Sequence, residues 1–207
     1  MQLKTLRLKK NEDRRLRAGH AWVYSNEIDI KATPLKDFTP GEEVLVEAYD
    51  KTKLGIAYIN PHSLITARLF TRKSNERLDL DLLTHRIKNA LALRMRLFSK
   101  PYYRLVFGES DGLPGLIADR FNDTLVIQIN TAGMDVKTDI IIAALSAALP
   151  DIQSILLRND STAREQEGLE KFIKAGLGAP PEKVILEENN TLFKAPLWEG
   201  QKNRLVL

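Results

Sequence analysis

The sequence predicts an α+β chain in two parts: a small β-barrel, then a connector helix leading into a mixed α+β unit. Three observations predict it. Short apolar runs, spaced roughly 8–12 residues apart and separated by turn residues, fill the first part, as in small barrels and sandwiches. From Leu80 onward the apolar period changes from that of a strand to that of a helix. The net charge also reverses: residues 1–100 hold 20 Lys+Arg against 12 Asp+Glu, a net of +8, and residues 101–207 hold 11 against 15, a net of −4. The boundaries drawn from these changes are 1–75, 76–100 and 101–207.

Residues 2–8 alternate leucine with polar side chains and read as the first strand. A basic turn or short helix follows over 9–17, Gly19 breaks it, and Ala21-Trp22-Val23-Tyr24 reads as a strand. Thr39-Pro40-Gly41 is a turn. Strands are predicted over 44–49, 54–59 and 64–71, parted by Asp50-Lys51-Thr52-Lys53 and Asn60-Pro61. A helix is predicted over 80–98, with Leu80, Leu83, Ile87, Ala90, Leu91 and Phe98 on one face and Arg86, Lys88, Arg94 and Arg96 on the other. Asp79 or Asp81 supplies negative charge at its N-terminus, and Pro101 ends it. In the second part, strands are predicted over 102–107, 116–120 and 125–130, with a tight turn over 108–115 and another at Asn122-Asp123. A helix over 134–149, a strand over 155–158 and a short helix from Asp160 or Ser161 to Gly168 come next. Residues 176–181 read as an open loop, and 184–186 with 192–195 as a hairpin about Asn189-Asn190. The order summarises as strand, strand, helix, strand, short helix, strand, strand.

Composition narrows the function. Apolar residues make up 43% and charged residues 28%, enough for a packed core. No apolar run approaches about 18 residues, so no spanning helix is expected. The N-terminus lacks the apolar region and cleavage site of a signal peptide, and a cytoplasmic location is expected. Cysteine is absent, which excludes disulfides, thiolate nucleophiles and cysteine-based zinc sites from this chain.

The strongest candidate site is basic. Arg7, Lys9, Lys10, Arg14, Arg15 and Arg17, with Lys4, crowd into the first 17 residues, and His20 adjoins them. Such a cluster attracts phosphates through counterion release. Trp22 and Tyr24 follow on one face of a strand, where they can stack an unpaired base or pack into the core. The glycine-rich 108–115 segment has neither dinucleotide-fold nor P-loop spacing and runs toward a strand, so it is read as a hairpin. Glu109, Asp111 and Asp119 could form an acid–base set or bind a cation, but their spacing matches no calcium loop, and they are read as turn formers with a surface ion pair to Arg120. His20, His62 and His85 lack metal-ligand spacing, and no nucleophile elbow surrounds a serine. No catalytic, cofactor-binding or metal-binding residue is assigned. On residue chemistry the chain reads as a binding protein.

Gly19-His20-Ala21-Trp22-Val23-Tyr24 resembles the opening of a PUA domain, with Ala21 where proline is usual. Residues 103–121, Tyr-Arg-Leu-Val-Phe-Gly-Glu-Ser-Asp-Gly-Leu-Pro-Gly-Leu-Ile-Ala-Asp-Arg-Phe, resemble the middle-domain signature of bacterial PUA-containing methyltransferases that make 5-methylcytosine in large-subunit ribosomal RNA. Arg158-Asn159-Asp160, with Arg164, Glu167, Gly168 and Leu169, is similar to that family's next block. Gly200-Gln201-Lys202 resembles the entry to its catalytic domain. The resemblance implies a PUA barrel, a central strand-strand-helix-strand-strand domain, RNA as partner and a homodimer. In relatives it also implies S-adenosylmethionine, bound by a Rossmann-like domain. After Lys202 this sequence departs, reading Asn203-Arg204-Leu205-Val206-Leu207, so a truncated or frameshifted chain without that domain is expected. Pyrimidine C5 methylation uses a cysteine thiolate. The expectation is therefore an RNA-binding portion, inactive in methyl transfer alone; the alternative is an interaction or dimerisation module, or an accessory subunit.

Overall fold

A computed structural model describes residues 3–188 and 191–199. Strands β1 (Lys4–Arg7), β2 (Trp22–Tyr24), β3 (Glu43–Glu47), β4 (Lys53–Ile59) and β5 (Ile65–Thr71) form one sheet in the order β1-β3-β4-β5-β2. β1 runs parallel to β3 and the other neighbours are antiparallel. Lys9 N donates to Glu27 O (2.8 Å) and Asp29 N to Arg7 O (2.9 Å), which ties the segment after β2 back to β1 and closes the sheet on itself. The inside is filled by alternate residues of each strand, among them Leu6, Val23, Val44, Val46, Ala57 and Ala67. Leu16, the apolar member of the short helix α1 (Arg14–Arg17), plugs this core and leaves the helix's arginines outside.

β4 reads as a continuous apolar run because both of its faces are covered. Ala57 and Ile59 point into the barrel, while Ile56 and Tyr58 point out into a second, larger core. That core lies on one face of a second sheet: β6 (Tyr102–Phe107), β7 (Leu116–Phe121), β8 (Thr124–Ile129), β9 (Ser154–Asn159) and β10 (Phe172–Leu177), in the order β10-β9-β8-β7-β6. Helices α2 (Leu80–Leu97) and α4 (Thr138–Ala148) supply Leu83, Ile87, Ile141, Ala144 and Leu145 to it. The opposite face is covered by a hairpin of β11 (Lys183–Glu188) and β12 (Thr191–Pro196), through Leu186, Ala195 and Leu197. β9, parallel to β8, is buried along its whole length between these layers.

The expected α+β mixture is present, with four corrections. The helix expected over 134–149 is two helices, α3 (Ala132–Asp135) and α4. The chain leaves the helical region at Lys137 (φ −107°, ψ 12°), whose ammonium reaches Glu43 of β3 at 3.2 Å. The open loop expected over 176–181 begins inside β10, a strand the sequence order omitted. The summary order counted two strands before the central helices, whereas β6, β7 and β8 all precede them, at the three segments expected, and among the described residues three follow α5 (Thr162–Gln166). Finally, Arg86 and Arg94 of α2 do not face solvent: Arg86 donates to Gly112 O, and Arg94 clasps Asp111 with both terminal nitrogens (2.5 and 2.8 Å). The outward face is instead partly apolar, with Leu93, Met95, Leu97 and Phe98 exposed. Asp79 caps α2 by accepting from Leu82 N (2.9 Å). Asn189-Asn190 and the segment 200–207 lie outside the described residues.

Candidate nucleic-acid interface and the cleft beside it

The basic segment between β1 and β2 is held by its own geometry. Asn11 takes a left-handed conformation (φ 69°) that turns the chain into α1. Gly19 (φ 108°) turns it out again toward β2, in a conformation that favours glycine. Lys9, Lys10, Arg14, Arg17 and His20 are exposed along this excursion. Lys9 Nζ donates to Asn26 O (2.7 Å), and Arg17 pairs with Asp13 (2.5 Å). Among the described residues, Lys10 and Arg14 enter no salt bridge. Arg7 is set apart from them: it is half-buried within the sheet and pairs with Glu47 at 3.0 Å. Arg15 pairs with Glu27 (3.0 Å), and its guanidinium lies 4.8 Å from the Tyr24 ring centre. The structure therefore gathers five of the six expected cations on one excursion and leaves two of them unpaired.

Trp22 and Tyr24 sit side by side on the outer face of β2, 6.4 Å apart and edge to face, while Val23 takes the core position between them. Both rings are half-exposed. Trp22 Nε1 donates to Glu109 Oε1 (2.7 Å), and Arg68 of β5 lies over the Trp22 ring at 5.9 Å. Arg68 Nη1 also reaches Glu167 Oε1 at 3.2 Å. Glu167 is deeply buried and fully used: it accepts from Asn60 Nδ2 (2.9 Å), Ser63 Oγ (3.2 Å), Arg68 and Ala132 N (3.3 Å). A carboxylate buried this completely persists only when its lone pairs are met.

Between the barrel and the second sheet Arg68, Glu109 and Glu167 line a cleft of about 520 Å³, within the size range of ligand sites. Its floor is the turn 108–115. Gly108, Gly112 and Gly115 all have positive φ there, and β6 and β7 pair antiparallel on either side, as the hairpin reading expects. The expected carboxylate roles change. Glu109 bonds Trp22, Asp111 holds Arg94 and Asp119 holds Arg104 (2.8 Å), while Arg120 pairs with Asp151 instead. Burial pushes the Asp119 carboxyl up, opposed by Arg104. Sequence reasoning missed Arg68, whose isolated position in a strand gave no local signal, and singled out Glu167 only as part of a block of family resemblance, with no role at the centre of this network.

His20, His62 and His85 are exposed. Among the described residues no group of three or more His, Asp or Glu side chains is placed to hold a metal. The strand-to-helix turns β8–α3 and β9–α5 contain no glycine, Gly133 inside α3 is filled by the Tyr58 ring, and the glycine-rich 108–115 turn leads into a strand. These residues do not fit the glycine cradle that S-adenosylmethionine takes in a Rossmann-like domain. No described helix is long and apolar enough to cross a membrane.

Residues 6–72 match the sequence family described as a PUA-like domain. The chain is homologous to proteins named ribosomal RNA large subunit methyltransferase I. It is 35% identical to one from Aliivibrio fischeri over 207 residues, covering 97% of this chain and 50% of that protein. Against one from Vibrio cholerae it is 34% identical over 205 residues, with the same coverage. The chain thus spans about half the length of the curated relatives it matches. Among solved structures, a candidate SAM-dependent methyltransferase from Streptococcus mutans superposes with a TM-score of 0.78 at 16% identity, covering 96% of this chain and 50% of that one. A candidate methyltransferase complexed with SAH gives 0.79 at 16% identity, covering 96% and 49%. These two likenesses show the fold alone.

Proposed function

We propose that this chain is the RNA-binding portion of a SAM-dependent rRNA methyltransferase-like protein, acting in the cytoplasm in rRNA processing. Residues 1–75 form the PUA barrel, 76–100 the connector and 101–207 the central domain. The observation that carries this reading is the exposed basic excursion of the PUA-like barrel. Lys9, Lys10, Arg14, Arg17 and His20 stand in solvent, and the excursion runs straight into the half-exposed pair Trp22 and Tyr24. Exposed cations hold phosphates, and adjacent aromatic faces take unpaired bases. Arg7 and Arg15 act at one remove, by fixing β1 and the Tyr24 ring. In the relatives the modification is proposed to fall on carbon-5 of cytosine. This chain, which has no cysteine to supply a thiolate, does not transfer the methyl group alone. Fluorescence anisotropy with a labelled large-subunit rRNA hairpin tests the reading. Binding that weakens at least about tenfold in the Lys10→Ala/Arg14→Ala double variant supports it; an unchanged affinity sinks it.

A second reading, a dimerisation or interaction module, is favoured by the apolar end of α2, where Leu93, Met95, Leu97 and Phe98 are exposed together. Light scattering discriminates: a dimer that Met95→Lys/Leu97→Lys converts to monomer supports it, and a strict monomer counts against it.

A further inference from the structure

We propose that the cleft between the barrel and the second sheet takes one unstacked nucleobase bearing an exocyclic amine. Glu109 Oε2 would accept from that amine, and Phe107 would be the stacking surface. This rests on the RNA-binding reading above and names a site for it.

The cleft's chemistry selects such a ligand. Its ionisable lining is Arg68, Glu109 and Glu167, a net of −1, so a phosphate is disfavoured inside it. Arg68 is already engaged, lying 3.2 Å from Glu167 and 4.0 Å from Glu109. Glu167 is saturated by its four donors. Glu109 is different. Its Oε1 is taken by Trp22, its side chain is 38% exposed, and among the described residues no hydrogen bond reaches Oε2. A fixed, half-exposed carboxylate oxygen is the acceptor that recognises an amino edge, as carboxylates do with cytosine N4.

Beside it Phe107 is 52% exposed at the end of β6 and lines the same cleft. The Arg104 guanidinium sits 5.4 Å from its ring centre and is itself held by Asp119, so the ring has a fixed orientation. An exposed, oriented aromatic ring beside an unused acceptor matches the stacking and edge recognition used for splayed-out bases. The phosphates need not enter: the basic excursion runs into Trp22, two residues after His20, and Trp22 Nε1 donates to the lining residue Glu109.

The test uses the full chain and two labelled single-stranded RNAs of about ten nucleotides, oligo-C and oligo-U. They share a backbone and differ at the base position that is an amine in one and a carbonyl in the other. Oligo-C should bind about tenfold more tightly than oligo-U, the discrimination of one charge-assisted hydrogen bond. Glu109→Gln keeps an acceptor for Trp22 but can present a donor to the base, so it should abolish or reverse the preference. Phe107→Ala should weaken both oligomers several-fold. Near-ultraviolet circular dichroism checks that each variant is folded. Equal binding of the two oligomers, or a preference that survives Glu109→Gln, overturns the cleft assignment. If both bind equally yet Lys10→Ala/Arg14→Ala weakens both, the cleft falls and the RNA reading stands. If neither binds, both fall.

Discussion

The ring of Tyr58 fills the space that a β-carbon on Gly133 would need: that carbon would lie 1.9 Å from Tyr58 Cγ. Tyr58 belongs to the barrel's β4 and Gly133 to α3, so the two sheets are joined at a point where no side chain fits. The same tyrosine donates to Pro114 O (2.7 Å) and accepts from Thr131 Oγ1 (3.1 Å), so its hydroxyl is satisfied although buried, and burial holds its ionisation well above the ordinary range. Gly133→Ala should therefore destabilise the chain by roughly 3 kcal/mol or more, as overpacking against an immobile ring does. Urea unfolding should show a lower midpoint at unchanged slope. A midpoint equal to the parent's would mean the junction yields freely.

Glu167 is the polar counterpart of that contact. Replacing it with alanine removes the carboxylate from the guanidinium of Arg68 and from the donors of Asn60 and Ser63, leaving Arg68 with Ile65 O and Asn60 with the backbone of residue 167. A loss of about 3–5 kcal/mol is expected, typical of a buried pair broken from one side. Glu167→Gln should cost less, because one acceptor oxygen remains. Thermal melts of the two variants check the order, and a Glu167→Ala chain as stable as the parent contradicts it.

The acid limb of stability should carry a contribution from Glu76. Hydrogen bonds from Lys73 and from Thr71 (2.5 Å) hold its carboxyl below the ordinary 4.5. A lowered folded value means the contribution is present above pH 4.5 and is lost as pH falls through the folded value. In Glu76→Gln the parent's decline below pH 4.5 should be shallower, and denaturation midpoints measured from pH 3 to 6 would show it. Identical pH profiles for parent and variant would remove Glu76 from the account.

The N-terminal cap of α2 should behave as a local device. Asp79→Ala removes the acceptor for Leu82 N and should cost about 1 kcal/mol. Asp79→Asn should restore most of it. The check is the chemical-denaturation midpoint of each.

Asp79 was legible in the sequence only as one of two candidates, with Asp81, for negative charge at the N-terminus of α2; that it caps the helix needed the structure. The barrel strands were legible directly, since their alternation and turn residues are local, and so was the 108–115 hairpin, whose three glycines supply the positive φ values its path needs. What stayed hidden depends on distant partners. β10 has no fully buried residue: Phe172 and Leu177 pack on one core and Ile173 on another, an interrupted pattern around Lys174 and Gly176 that left the end of the strand to be read as a loop. Arg86 and Arg94 looked like a solvated helix face. Their destinations, Gly112 O and Asp111, lie on a turn that only the fold brings near. Glu109 was noticed, but its partners Trp22 and Arg68 are 87 and 41 positions away, beyond any spacing rule. The basic excursion was visible as composition. Its division into paired residues (Arg7, Arg15) and open ones (Lys10, Arg14) needed the structure.

The salt dependence of RNA binding tests the central claim most directly. Affinity for a large-subunit rRNA hairpin, measured by anisotropy across potassium chloride concentrations, should fall steeply in the parent chain. The Lys10→Ala/Arg14→Ala variant should lose roughly 1.5–2 from the slope of log K against log salt, two phosphate contacts' worth. A parent slope near zero, or a slope unchanged by the double substitution, would contradict the assignment of this surface to RNA.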